Sequence, residues 1–311
     1  LSGPGKTKNP KDLECTPGGS SSGSAAAVSD YMVPLAIGSQ TGGSVLRPAS
    51  FTGILGFKPT FGTISRSGMS PISQRLDHPG IYANCVEDID LVASVILSYD
   101  SEDLDMIQNY QYRNDLNLNK SLKFGFVRGP VWNFGDEDMK NGIEEFVKNS
   151  QLDIEELDLG KDFEDAAKAH EIIMNGSIAN SLINYYQADK SKLHPFTVKR
   201  IEAGIPVSAS DYVSAIEKAK KMEQILRQLF LKYDTIITPA SPGRAPRDLM
   251  NTGNAIFNGY WTMMGVPAIS LPFLKGRDNL PIGIQFIANW NEDLKLLEIC
   301  KEVLKKEKLA D

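Results

Sequence analysis

The sequence predicts a layered α/β fold. Three observations carry the prediction. Short apolar runs of strand composition recur along the chain, most of them are separated by stretches with helical periodicity, and the intervals between them call for crossovers rather than hairpins. The 311 residues, 41% hydrophobic and 23% charged, suffice to bury an ordinary core as one large domain or two smaller ones. No linker divides the chain. Residues 1–311 are therefore read as a single α/β domain, with residues 100–235 a more charged, helical and variable region within it.

Residues 1–19 read as loop from their Gly, Pro, Lys and Asn content. Small residues opening on a serine predict a helix from Ser22 to about Met32. Val33–Ser39 is a short apolar run closed by Gly and Ser, the pattern of a buried strand. Gly42–Thr52 reads as a turn and a brief helical piece, and Gly53–Thr60 as another short strand. Residues 61–80 read as loop, broken by Gly62, Gly68, Pro71, Pro79 and Gly80. An amphipathic helix follows at Val86–Leu97, with Ile89, Val92, Ala93 and Ile96 on one face. Strand Leu122–Val127, helix 136–149, strand 153–158 and helix 163–186 then alternate. The clearest helix is Ser210–Tyr233, where Val213, Ile216, Met222, Ile225 and Leu229 keep helical spacing. Asp234–Pro239, Ala268–Phe273 and Ile282–Ala288 are strands, and a charged helix at 292–307 closes the chain.

Composition narrows the function. A formal net charge of −6 argues against a nucleic-acid partner, which needs a basic face. Cys15, Cys85 and Cys300 are odd in number, far apart and without CxxC spacing, so a disulfide framework or zinc site is not expected and a reducing, cytoplasmic setting is. His78, His170 and His194 form no metal-binding pair. No apolar run approaches the roughly 18 residues of a membrane span, and the first residues carry no signal-peptide core. The chain opens without Met, in loop-like sequence, and is expected to start part-way through a longer protein.

Two Gly/Ser clusters carry the chemistry: "CTPGGSSSGSAAAVSD" (Cys15–Asp30) and "GSQTGGSVLRPAS" (Gly38–Ser50). In the second, a strand ends and a Gly-Gly-Ser turn leads into a helical piece. Consecutive amides of Thr41, Gly42, Gly43 and Ser44 in one concavity would form an anion-binding nest. With the Ser44 hydroxyl beside it, the arrangement is an oxyanion hole next to a nucleophile. A serine alcohol needs a base within hydrogen-bond reach. No histidine stands in a motif: His78 and His194 each precede Pro in loop-like sequence, and His170 lies in a helix. A hydroxyl relay remains, and the first cluster supplies serines. A phosphate cradle lacks its Lys-Ser or Lys-Thr, and a dinucleotide fold lacks its GxGxxG.

Read together, the clusters resemble the amidase signature family. The likeness rests on "TPGGSSSGSAAAV" and "GSQTGGSVLRPASFTGILGFKPTFG", with later support from "RLDHPGIYANCVEDIDL", "NGYWTMMGVPAISLPF" and "LPIGIQFIA". The resemblance implies a mixed, twisted sheet covered by helices on both faces, here N-terminally incomplete. It implies a Ser–cis-Ser–Lys relay in which Ser44 is the nucleophile and Ser20 the serine of a cis peptide, with Thr41, Gly42 and Gly43 forming the oxyanion hole. The family's lysine lies upstream of the first cluster. Lys6, Lys8 and Lys11 match its approach segment instead, and Lys58 is expected to be structural. Taken alone, the 311 residues are therefore expected to be catalytically crippled.

The resemblance implies an amide hydrolase that cleaves a C–N bond of a small amide through a serine acyl-enzyme. The alternatives are a glutaminase-type A subunit of a glutamyl-tRNA amidotransferase-like complex and an inactive homologue. Neither cofactor nor metal is implied, and a homodimer is compatible. Arg47 stands where a family subgroup carries Arg, and is expected either to bind a substrate carboxylate or to brace the loop. Gln40 replaces a common Asp and is expected to alter how Arg47 is held. Asn258, Tyr260 and Trp261 are expected in packing or along the pocket, Asp77 and His78 in a structural loop near the site, and Cys85 as a small buried residue.

Overall fold

The computed structural model describes residues 6–112, 118 and 121–308. Leu1–Gly5 of the expected N-terminal loop lie outside the described residues. Eight strands form one sheet among the described residues: β1 (Leu35–Gln40), β2 (Leu55–Lys58), β3 (His78–Ala83), β4 (Lys123–Phe126), β5 (Asp153–Glu156), β6 (Thr235–Pro239), β7 (Ala268–Lys275) and β8 (Pro281–Ile287), in the order β1-β3-β2-β7-β8-β6-β4-β5. The sheet is mixed. β4 runs parallel to β5 and β6, and the other neighbours are antiparallel.

Nine α-helices are described: α1 (Ser22–Ser29), α2 (Leu46–Thr52), α3 (Val86–Ile96), α4 (Glu137–Asn149), α5 (Ala166–Asp189), α6 (Pro195–Gly204), α7 (Ala209–Leu229), α8 (Ile256–Met263) and α9 (Asp293–Lys308). They cover both faces of the sheet. α2 packs on β2, β7 and β8, and α1 on β1 and α2. α3 packs on β3 and α9, α4 on β7, and α5 runs against α6, α7 and α8. The largest apolar cluster includes Phe57, Ile81, Phe124, Ile236, Ile269, Ile284 and Phe286, from strands across the sheet.

The alternating α/β reading holds, with these corrections. Residues 61–80 are not all loop, because β3 begins at His78. Its "HPGIYA" looks like turn sequence, yet the strand is buried and pairs along its whole length with β1. β2 pairs only with its last three residues, Ile81, Tyr82 and Ala83, so Pro79 lies beyond that ladder and withholds no donor from it. The "HPF" stretch opens α6: His194 is its N-cap, accepting from the Phe196 amide, and Pro195 takes the first turn. α8, in a stretch where the sequence predicts no element, is buried at every position from Phe257 to Met263. Finally, β7 and β8 form an antiparallel pair over a short connection, not a crossover. Cys85 is half-buried at the N-cap of α3 rather than a core residue.

One close approach sets where the Ser44 turn lies. α2 sits so near β2 that a Cβ on Gly56 would fall 2.5 Å from the Ala49 Cβ. In an ordinary strand, Gly→Ala gains about 0.5–1 kcal/mol. At Gly56 the same change forces α2 outward, and Gly56→Ala is expected to destabilise by about 1–3 kcal/mol. Thermal unfolding checks this; an unchanged or raised melting temperature contradicts it.

Candidate functional site

The strand β1 delivers the second cluster. At its end, buried Gln40 anchors the turn that follows. Its Oε1 accepts from the amides of Val45 (2.8 Å) and Leu46 (3.0 Å), and its Nε2 donates to Thr262 Oγ1 (2.9 Å). Gln40 thus shapes the start of α2. The expectation that it governs Arg47 is corrected: Arg47 is held elsewhere.

Each carbonyl of the turn has its own partner. The Thr41 carbonyl accepts from His170 Nε2 (3.1 Å). Thr262 Oγ1 makes the shorter of its two carbonyl contacts to Gly42 (2.6 Å). The Gly43 carbonyl accepts from the Arg47 amide (3.0 Å), and the Ser44 carbonyl from the Tyr82 hydroxyl (3.0 Å). The Thr41 hydroxyl donates to Asp77 Oδ1 (2.6 Å), while Asp77 Oδ2 accepts from the amides of Ile72 and Ser73 (both 2.8 Å). By contrast, the amides of Gly42, Gly43 and Ser44 donate to no described group. A peptide plane places its C=O and N–H on opposite sides. Each pinned carbonyl therefore turns the N–H of the next residue away from its own donor.

The first cluster is stitched to the second. Ser21 Oγ donates to the Ser39 carbonyl (3.2 Å) and accepts from its amide (3.1 Å). Ser24 Oγ donates to the Ile37 carbonyl (2.8 Å), and Ser22 Oγ to Gly18 (2.6 Å). The Gly19–Ser20 bond is cis. Buried Arg47 reaches across, its Nη2 donating to the Gly19 carbonyl (2.5 Å). The serines around Ser20 are thus spent on the scaffold. Among the described residues the hydroxyls of Ser20 and Ser44 have no hydrogen-bond partner, and both line one cavity of about 1180 Å³.

Thr41, Gly42, Gly43 and Arg47 line the same cavity, with His170 and Arg200. Arg47 makes no ion pair among the described residues, its Nε is buried without a partner, and burial lowers its pKa to about 10. Burial also holds His170 below the usual histidine range. Lys58 is elsewhere, donating to the carbonyls of Pro59 (3.0 Å) and Val266 (2.5 Å), with its pKa lowered to about 7 by burial. Tyr260 lines the cavity, whereas Trp261 is packed away from it. Asn258 donates to Ala240 (3.0 Å) and Gln285 (3.3 Å), which turns its unpartnered Oδ1 toward Gly43. His78 lies at the start of β3 with Nδ1 on the Leu76 carbonyl (2.7 Å), not in a loop and not on the cavity. His170, Thr262 and Tyr82 could not be foreseen in these roles, since none belongs to a local motif.

A mixed α/β sheet with a Gly-Gly-Ser strand-to-helix turn beside a second Gly-Gly-Ser loop defines a chain of the amidase-signature class. The chain belongs to the amidase family, whose model matches residues 2–297. It is 33% identical over 327 aligned residues to a glutamyl-tRNA(Gln) amidotransferase A subunit of Agathobacter rectalis, covering 92% of this chain and 64% of that protein. The chain thus spans less than two thirds of that relative's length. Among solved structures, it resembles a chain of a vestigial protein complex bearing on the evolutionary origins of an s-triazine catabolic enzyme, with TM-score 0.85 at 27% identity, over 97% of this chain and 69% of that one. It also resembles the glutamyl-tRNA(Gln) amidotransferase A subunit of Thermotoga maritima, with TM-score 0.77 at 29% identity, over 93% and 66%.

The anchoring role of Gln40 has a measurable consequence. Gln40→Ala strands two buried amides and is expected to cost about 3 kcal/mol of stability. Urea unfolding measures it, and a loss below about 1 kcal/mol would mean the turn is held without Gln40.

Proposed function

We propose that this chain cleaves the C–N bond of a small amide by acyl transfer to Ser44. The observation that carries the reading is the run of three undonated amides, Gly42 to Ser44, beside a serine hydroxyl that faces a cavity shared with Ser20. In the proposed reaction Ser44 attacks the amide carbonyl and passes its proton to Ser20. The Gly42 and Gly43 amides receive the developing oxyanion, with Thr41 shaping that loop. The amine leaves with a proton returned through Ser20, and water releases the acyl group.

Ser20 in turn needs a base. The resemblance implies a lysine, and no described lysine donates to Ser20. The 311 residues alone are therefore proposed to acylate slowly, with an amine brought to Ser20 completing the relay. Arg47 and Arg200 on the cavity wall favour a substrate bearing a carboxylate. Neither cofactor nor metal enters this scheme. A cytoplasmic setting accords with three free thiols, and no described helix is long and apolar enough to cross a membrane.

A second reading has its own support. The amidotransferase relatives at 33% identity favour a glutaminase-type role in which a partner protein takes up the ammonia. Glutamine turnover that appears only with a co-purifying partner would favour it over the free amidase.

The test uses a serine-directed fluorophosphonate read by mass spectrometry. Ser44 is expected to be labelled over hours, and Ser44→Ala not at all at that position. Ser20→Ala is expected to slow labelling about 100-fold, the scale of lost proton transfer. Added ethylamine should speed the wild type but not Ser20→Ala. Labelling at another residue, or an unchanged rate in Ser20→Ala, overturns the proposal.

A further inference from the structure

The geometry points to His170 as a positioning residue that aims the Gly42 amide into the cavity by holding the Thr41 carbonyl. The inference rests on the acyl-transfer reading and deepens it. His170 lies in α5, 129 residues from Thr41, and no other described group contacts that carbonyl. A carbonyl can only accept, so Nε2 carries the proton. Thr41 C=O and Gly42 N–H belong to one rigid peptide plane and point in opposite directions. A donor fixed on the oxygen side therefore fixes where the N–H points. The Gly43 amide is oriented in the same way by Thr262, and the Ser44 amide by the first turn of α2. Of the three, only the Gly42 amide depends on a side chain from α5.

The surroundings keep the ring in place. A Cβ on Gly259 would lie 2.7 Å from Nδ1, and one on Gly42 would lie 3.4 Å from Cε1, so the imidazole occupies a slot between two glycines. Burial is the main influence on the ring and disfavours its charged form, while Arg200 and Glu171, the charged groups that act on it, have opposed effects. Both neutral Nε2–H imidazole and imidazolium donate from Nε2. His170 therefore has no need to exchange a proton during turnover. A histidine acting as base needs a ring nitrogen free to accept a proton from the reacting groups; here Nε2 donates to Thr41 and Nδ1 is turned against Gly259.

Three variants and one spectrum test this. In fluorophosphonate labelling with added ethylamine, His170→Phe keeps the volume and loses the donor. Its maximal labelling rate is expected to fall about 100-fold with the half-saturating probe concentration unchanged, the scale of one lost oxyanion donor. His170→Gln restores a donor and is expected to recover most of the rate with an unaltered pH profile. Gly259→Ala favours the α8 helix by propensity yet drives the ring off its slot, and should act as His170→Phe does. A native melting temperature in His170→Phe with an undiminished rate overturns the proposal, as does a His170→Gln that stays as slow as His170→Phe. The ¹⁵N spectrum of the ring reads the same inference without activity. Protonated Nε2 with bare Nδ1 supports it, and the opposite tautomer overturns it. If the wild type takes no label, the acyl-transfer reading fails, and the tautomer alone decides the role of His170.

Discussion

One constraint governs the site: four successive carbonyls, Thr41 to Ser44, are each claimed by a different donor. Because a peptide group is flat, fixing its oxygen fixes its hydrogen. The glycines allow the chain to turn, and the donors decide which way it turns. Those donors come from α5, α8, the first turn of α2 and β3, so the turn has its shape only when the whole sheet and its helices have assembled. Preorganised dipoles of this kind cost no rearrangement when charge develops, which is why their fixed aim matters more than their number.

The same logic explains the buried Arg47. A guanidinium almost fully removed from water, with no ion pair among the described residues, is costly. Its bond to the Gly19 carbonyl ties the two Gly/Ser clusters together and offsets part of that cost. Its unpartnered Nε leaves donor capacity unspent. Bracing and anion recognition, weighed as alternatives from the sequence, are compatible in one side chain.

Much of the architecture was legible because it is written locally. The Gly-Gly-Ser turns, the long periodic helix α7 and the apolar strands β6, β7 and β8 each carry their signal within a few residues. Ser20, Ser44 and Thr41 to Gly43 stood out for the same reason. What could not be read is what depends on distant partners. Thr262 is 220 residues from Gly42 and His170 is 129 from Thr41, and neither sits in a recognisable pattern. β3 hid behind a His-Pro-Gly start, α6 behind His-Pro, and α8 in a short stretch buried at nearly every position. For β3 tertiary burial outweighed a local cue for loop, whereas in α6 the His-Pro pair is itself the start of the helix, with His194 as cap and Pro195 in the first turn. The effect expected of Gln40 on Arg47 failed differently: the side chain serves the backbone of its own turn rather than the arginine next to it.

The most direct test of the central claim is a crystal structure of the chain carrying a phosphonyl group on Ser44. The expected result is a phosphoryl oxygen within hydrogen-bond distance of the Gly42 and Gly43 amides, with the Thr41 carbonyl still on His170. A phosphoryl oxygen turned toward solvent, with those amides unbound, would contradict it.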